Sequence, residues 1–241
     1  MKTAVVTGAG RRIGRAVALH LGKAGFCVAV HCHRSVQEGA ALVKEIEAAG
    51  GEAFVIQGDL RNEGKCMEMV GEVLKKMPRV DVLVNSASTF TEDDVLSFSF
   101  EDLIEHMKVN AFAPLVLSRA LARDGRVDCI VNFLDSRVVD YDAPHASYHL
   151  SKRAFDAITR MLAVELAPQV RVNAVAPGLI LPPEGKGDDY VELRRKENLL
   201  QRQGTLEEVC MAVDFLVSNR FVTGQTVFVD GGRHVKGAFY G

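Results

Sequence analysis

The chain has 241 residues, 48% of them hydrophobic and 25% charged, with 29 basic against 31 acidic side chains and a net charge of -2. A chain of this length buries about 70–75% of its unfolded surface in one core. Its composition excludes a disordered polymer, and its balanced charge excludes partners drawn by bulk electrostatics, such as nucleic acid or an anionic membrane surface.

The first apolar, β-branched run, Thr3–Thr7, reads as a strand, and Ile13–Ala24 as a helix stopped by Gly25. Phe26–His31 is a second strand, after which Ser35 caps a helix reaching about Ala49 and closed by Gly50 and Gly51. Ala53–Gln57 is a third strand, Asn62–Lys76 a helix, and Val80–Asn85 a fourth strand. Leu103–Leu121 reads as one or two helices bent near Pro114, and Val127–Leu134 as a fifth strand. A long helix follows over Tyr148–Leu166, ending before Pro168. Val170–Ala176 is a sixth strand, Leu206–Val217 a helix, and Thr226–Val229 a final short strand. The least regular stretch, Leu181–Asp189, reads as a mobile loop within a substrate loop around 180–200.

These strands are apolar on both faces, as in parallel sheets covered by helices. The β-α-β-α rhythm predicts an α/β fold, one doubly wound parallel sheet of about seven strands with helices on both faces. No linker or repeat interrupts it, so residues 1–241 read as a single domain. No apolar run approaches the ~20 residues of a membrane helix, and no signal peptide is expected. The five cysteines (Cys27, Cys32, Cys66, Cys129, Cys210) contain no C-x-x-C pair, which argues against a disulfide framework or a metal site and for reduced thiols in a cytoplasmic protein.

The first strand runs into Thr7-Gly8-Ala9-Gly10-Arg11-Arg12-Ile13-Gly14. Glycines between a strand and a helix let backbone N–H groups approach a pyrophosphate at the helix N-terminus. The end of the second strand chooses the dinucleotide. An acidic residue there accepts from a ribose 2′-hydroxyl. This chain has none, reading His31-Cys32-His33-Arg34-Ser35. Arg34, helped by Arg11, suits a 2′-phosphate, so the expected cofactor is NADPH. Three more segments fall at strand ends: Asp59-Leu60, where Asp59 either accepts from an adenine amino group or caps the next helix; Asn85-Ser86-Ala87, whose small residues permit close approach; and Pro177-Gly178-Leu179, near the nicotinamide.

Tyr148 and Lys152 are four apart and share a helix face. A lysine ammonium favours the phenolate and is expected to lower the tyrosine pKa, so the pair moves a proton while the cofactor moves a hydride. Asp135 lies thirteen residues before Tyr148. Asn110, in an apolar helical stretch, is either a satisfied core residue or the holder of a water that relays protons to Lys152.

Over nearly its whole length the chain resembles the short-chain dehydrogenases/reductases, through Thr7–Gly14, Asp59, Asn85–Ser88, Asn110, Tyr148-x-x-x-Lys152, Pro177-Gly178 and Asp230-Gly231-Gly232. The resemblance implies a Rossmann-type fold, catalytic roles for Asn110, Tyr148 and Lys152, and a homotetramer. Two positions depart from the family pattern: Arg12 stands where a glycine is usual, and Asp135 where a serine is usual. Both are similar to the pteridine reductase branch, as are Arg11–Gly14, His31–Ser35 and Ser88-Thr89-Phe90. The tail from Phe221 to His234 resembles bacterial dihydromonapterin/dihydrofolate reductases. That resemblance implies a pterin or folate substrate, Phe90 stacking the pterin, Arg12 and Ser88 contacting pterin or cofactor phosphate, and Asp135 pairing with Tyr148 in proton delivery. A flat pterin suits an aromatic platform, although Phe90 also reads as a core residue in a short loop. Three readings follow: a dihydropterin C=N reductase (dihydromonapterin, dihydrobiopterin or dihydrofolate), a carbonyl or 3-oxoacyl-thioester reductase, and a non-catalytic NADP(H)-binding sensor. Asp135 disfavours the second and the complete tyrosine–lysine–asparagine set disfavours the third.

Overall fold

The computed structural model describes residues 1–123, 125–183 and 185–239. Its strands are β1 (Lys2–Val6), β2 (Phe26–Cys32), β3 (Glu52–Gln57), β4 (Val80–Asn85), β5 (Val127–Phe133), β6 (Arg171–Pro177) and β7 (Thr226–Val229). Its α-helices are α1 (Arg12–Lys23), α2 (Val36–Ala48), α3 (Glu63–Lys76), α4 (Phe100–Met107), α5 (Ala113–Ala122), α6 (Ala146–Glu165), α7 (Asp188–Arg194), α8 (Leu206–Ser218) and α9 (Arg233–Phe239).

All seven strands pair in parallel in one sheet, ordered β3-β2-β1-β4-β5-β6-β7. Alternate residues of a strand face opposite sides, and the core divides accordingly. Ala4 and Val6, Val28 and Val30, Val82 and Val84, and Cys129 and Val131 pack with α1, α2 and α8. Val5, Ala29, Leu83 and Ile130 point the other way, into α3, α5 and α6. This two-sided burial is why the strands read as unbroken apolar runs. The order reverses between β1 and β4, and the crevice beyond their carboxyl ends is where an open α/β sheet binds its ligand.

The expected strands and most helices stand within a residue or two of their predicted ends. Positive φ at Gly25 (86°) and Gly50 (85°) supplies the helix stops. Three readings are corrected. Ser35 occupies the N-cap position of α2, but its side chain makes no capping bond. The irregularity in 103–121 is a π-helical turn at Lys108–Phe112, not a bend at Pro114, which lies in the first turn of α5 directly after it. The stretch read as a loop at Leu181–Asp189 closes into α7 at Asp188, where two aspartates in the first turn interact favourably with the positive end of the helix dipole; Glu184 lies outside the described residues. Composition hid α7 and α9 because both are short and follow glycines. Among the described residues no helix is long and apolar enough to cross a membrane.

Candidate active site

Each glycine of the first turn has a separate steric reason. Gly8 has φ +65°, and a Cβ there would lie 2.8 Å from Ala87 Cα. A Cβ on Gly10 would meet Ser35 Oγ at 2.3 Å, and one on Gly14 would meet the Gly8 carbonyl at 2.5 Å. The turn is therefore pressed against the ends of β2 and β4. Thr7 Oγ1 ties it there by accepting from the N–H groups of Ser86 and Ala87 at 3.0 and 3.1 Å. At the N-cap of α1, Arg11 makes no side-chain cap bond. Amides at the start of a helix with no side-chain cap suit a phosphate, and the turn fits a dinucleotide. Ile13 and Gly14 begin that helix, Asn85-Ser86-Ala87 walls the crevice opposite, and Asn85 itself is buried, donating to Asn132 Oδ1 at 2.9 Å.

Arg12 has φ +54°, a left-handed conformation that glycine adopts freely and other residues at a cost of about 1–2 kcal/mol. That accounts for the usual glycine. Here the guanidinium reaches across to the carbonyls of Leu181 (3.4 Å) and Pro182 (2.8 Å), joining the first turn to the segment after β6.

The His31 side chain is part of the scaffold that carries the turn. It is buried, its Nδ1 accepts from the Gly8 N–H at 3.1 Å, and its Nε2 faces the Gly58 carbonyl at 3.1 Å, so both ring nitrogens are occupied. Burial pulls its pKa down from 6.5 to about 4. The unfolded chain therefore binds the proton first on acidification. This contribution to stability is complete above about pH 6.5 and is lost as pH falls toward about 4, at up to about 1.4 kcal/mol per unit. Urea unfolding between about pH 7 and pH 4 should show this slope, and a His31→Gln variant should flatten it. An unchanged slope in the variant would assign the acid sensitivity elsewhere.

At the end of β2, Arg34 and His33 lie on the surface side of this scaffold. His33 stands 3.6 Å from Asp59, which Arg61 grips through Nε and Nη2 at 2.9 and 2.7 Å. That grip lowers the Asp59 pKa to about 2. Asp59 does not cap α3, since Asn62 does so by accepting from Lys65 N. Leu60 is buried beside it. Arg11 pairs with Glu38 in the first turn of α2. On the far side of the crevice, Gly178 packs so closely that a Cβ would meet Asp230 Cβ at 2.7 Å; Pro177 ends β6, and the Leu179 carbonyl accepts from Gly204 N.

The reacting groups meet at the carboxyl ends of β4 and β5. The Tyr148 hydroxyl donates to Asp135 Oδ2 at 2.9 Å, while Asp135 Oδ1 accepts from the Arg137 N–H at 2.8 Å. Asp135 is thus both the cap of a short 3-10 turn (Ser136–Val138) and the partner of the tyrosine. Lys152 Nζ donates to the Phe133 carbonyl at 2.7 Å and lies 5.7 Å from the centre of the Tyr148 ring. Burial pushes Lys152 down to about 8. Burial first, and the Asp135 carboxylate second, push Tyr148 well above its ordinary value. This corrects the expectation that Lys152 lowers it: the ammonium is directed at a carbonyl, and an anion sits on the hydroxyl. Tyr148 therefore holds its proton.

Asn110 sits in the π turn, fully buried. Its Oδ1 accepts from Thr89 N (2.8 Å) and Ser88 Oγ (3.1 Å); its Nδ2 donates to the Thr89 carbonyl (3.0 Å) and Ser151 Oγ (2.9 Å). The side chain is the satisfied core residue of the two readings, and it pins the loop carrying Ser88 and Phe90 against α6. Phe90 is 46% exposed, so it is not a core residue. His145 stacks on it at 4.2 Å with 20° between planes, and the Tyr148 ring meets it edge-on at 4.7 Å. One aromatic surface is held rigidly next to the Tyr148 hydroxyl.

Asp142, His145 and His149 complete this wall and were not singled out from the sequence, although the two histidines flank Tyr148. Asp142 Oδ1 binds His145 Nδ1 at 2.8 Å and His149 Nε2 at 2.9 Å. Their ligand atoms lie within 4.8 Å of one another, but Arg137, 3.5 Å from Asp142, already supplies a cation there.

Residues 8–234 match the family described as enoyl-(acyl carrier protein) reductase. A 3-oxoacyl-[acyl-carrier-protein] reductase FabG of Staphylococcus epidermidis is 33% identical, over 97% of this chain and 99% of that protein. A dihydromonapterin reductase of Shigella boydii is 32% identical over 96% of each chain. The crystal structure of FolM alternative dihydrofolate reductase 1 from Brucella canis, complexed with NADP, superposes with a TM-score of 0.91 at 37% identity, covering 97% of this chain and 94% of that one.

Proposed function

The chain belongs to the short-chain dehydrogenase/reductase family, and within it we propose an NADPH-dependent reductase of a dihydropterin C=N bond with Tyr148 as proton donor. The carrying observation is the carboxylate of Asp135 on the Tyr148 hydroxyl, beside the half-exposed ring of Phe90. The dihydromonapterin reductase and the NADP-bound dihydrofolate reductase among its relatives support the same reading.

NADPH, when bound, supplies the hydride. The Gly8–Gly14 turn would hold its pyrophosphate, Arg34 with Arg11 its 2′-phosphate, and Asn85–Ala87 with Pro177–Leu179 its nicotinamide end. Phe90 offers a face to the pterin. Tyr148 gives its proton to the ring nitrogen and is left as a phenolate; Asp135 holds the hydroxyl in line, and its carboxylate can then take up a proton from solvent and pass it to that phenolate. Lys152 ties α6, which carries Tyr148, to the end of β5 through the Phe133 carbonyl. Arg12 and Ser88 border the same space. We propose a homotetramer, and exposed Leu150, Met161 and Val164 give α6 an apolar face for a contact between subunits.

A second reading, reduction of a 3-oxoacyl thioester, is favoured by the FabG relative. One assay separates them. Purified protein is mixed with NADPH and dihydrobiopterin, dihydrofolate or an acetoacetyl thioester, and the cofactor absorbance is followed. Pterin-dependent oxidation is expected, falling about tenfold or more in an Asp135→Ser variant. Oxidation with the thioester alone would replace this proposal with the second reading.

A further inference from the structure

A polar cleft opens where the 136–142 segment, residues 194–197 and α9 meet, with a volume of about 420 Å³, the scale of small-molecule sites. Five cations line it (Arg137, Arg194, Lys196, Arg233 and Lys236) against two carboxylates, Asp140 and Glu197. Those carboxylates are already engaged by arginines. Glu197 pairs with Arg194 and, at 3.2 Å, with Arg137; Asp140 pairs with Arg233 at 3.1 Å. Lys196 and Lys236 have no carboxylate partner among the described residues, and Lys236 Nζ donates only to the Lys196 carbonyl. Arg233 Nε also faces Glu197 Oε2 at 3.6 Å, so Glu197 is shared among three arginines, while the Nε donor of Arg194 is buried without a hydrogen-bond acceptor. Buried, unanswered N–H donors are costly, and an anion satisfies them.

The cleft adjoins the reacting centre. Arg137 N–H holds Asp135 Oδ1, and the Arg137 guanidinium lies 3.5 Å from Asp142, whose partner His145 stacks on Phe90. A molecule seated on Phe90 with an extended substituent along this wall meets the cations. Resting on the pterin reading, we propose that the cleft takes a carboxylate-bearing substrate tail. The preferred class is then a dihydrofolate, with its glutamyl carboxylates, over a pterin with a neutral hydroxyalkyl side chain.

The test compares kcat/KM for dihydrofolate and dihydrobiopterin in the wild type and in a Lys196→Ala/Lys236→Ala variant at saturating NADPH, with acetoacetyl-CoA as a phosphate-bearing control. The dihydrofolate-to-dihydrobiopterin ratio should fall about tenfold in the variant, mainly through KM. In the wild type the same ratio should fall as salt rises. Turnover of both pterins with an unchanged ratio overturns this inference and leaves the pterin reading standing. Turnover of neither pterin overturns both. A loss confined to acetoacetyl-CoA assigns the cleft to a phosphate and also overturns it.

Discussion

Replacing Tyr148 by Phe should lower kcat for reduction by about a hundredfold to ten-thousandfold, the usual worth of a positioned general acid, with NADPH affinity changed by less than about twofold. The ring stays in place because its packing does not depend on the hydroxyl: it is buried against Phe90 and His149, at 4.7 and 5.5 Å between centroids. Only the bond to Asp135 is lost. Steady-state turnover and cofactor-fluorescence titration check the two halves separately. Wild-type turnover would refute Tyr148 as the proton donor, whichever substrate is reduced. A matching loss of NADPH affinity would show that the hydroxyl binds the cofactor rather than delivering a proton.

Gly8→Ala should cost about 2–4 kcal/mol of stability and weaken NADPH by about a hundredfold or more. Two effects add. A non-glycine residue at φ +65° costs about 1–2 kcal/mol. The new methyl would also lie 2.8 Å from the Ala87 Cα, a backbone atom that moves only by displacing the end of β4. Gly71, within α3, is the control: a Cβ there meets nothing within 4 Å. Gly71→Ala should therefore stabilise by about 0.5–1 kcal/mol without touching cofactor affinity. Thermal unfolding of the two variants checks the opposite signs. Equal effects would remove the steric account of the turn.

The two irregular positions in the family motifs divide along the same line. Asp135 was legible as a departure from the family pattern, and its pairing with Tyr148 only through the resemblance to pteridine reductases; the structure places the two oxygens 2.9 Å apart. Arg12 was legible as a departure, but its φ of +54° and its bonds to the Leu181 and Pro182 carbonyls depend on a segment about 170 residues away. His31 follows a related rule: at the end of a strand a histidine looks available, and only the Gly8 N–H and the Gly58 carbonyl, brought to it by the fold, show both side-chain nitrogens taken.

The sequence by itself determined the sheet, the glycine turn and the Tyr148–Lys152 pair. Each rests on local rules: alternation along a strand, φ at glycine, four-residue spacing on a helix. The tertiary structure decided what those rules do not reach. It set the Tyr148 pKa upward by burying the ring beside Asp135. It stacked His145 on Phe90 through Asp142. It also gathered five cations from three distant segments into one cleft. Burial and charge proximity are properties of the packed chain, and no spacing along the sequence encodes them.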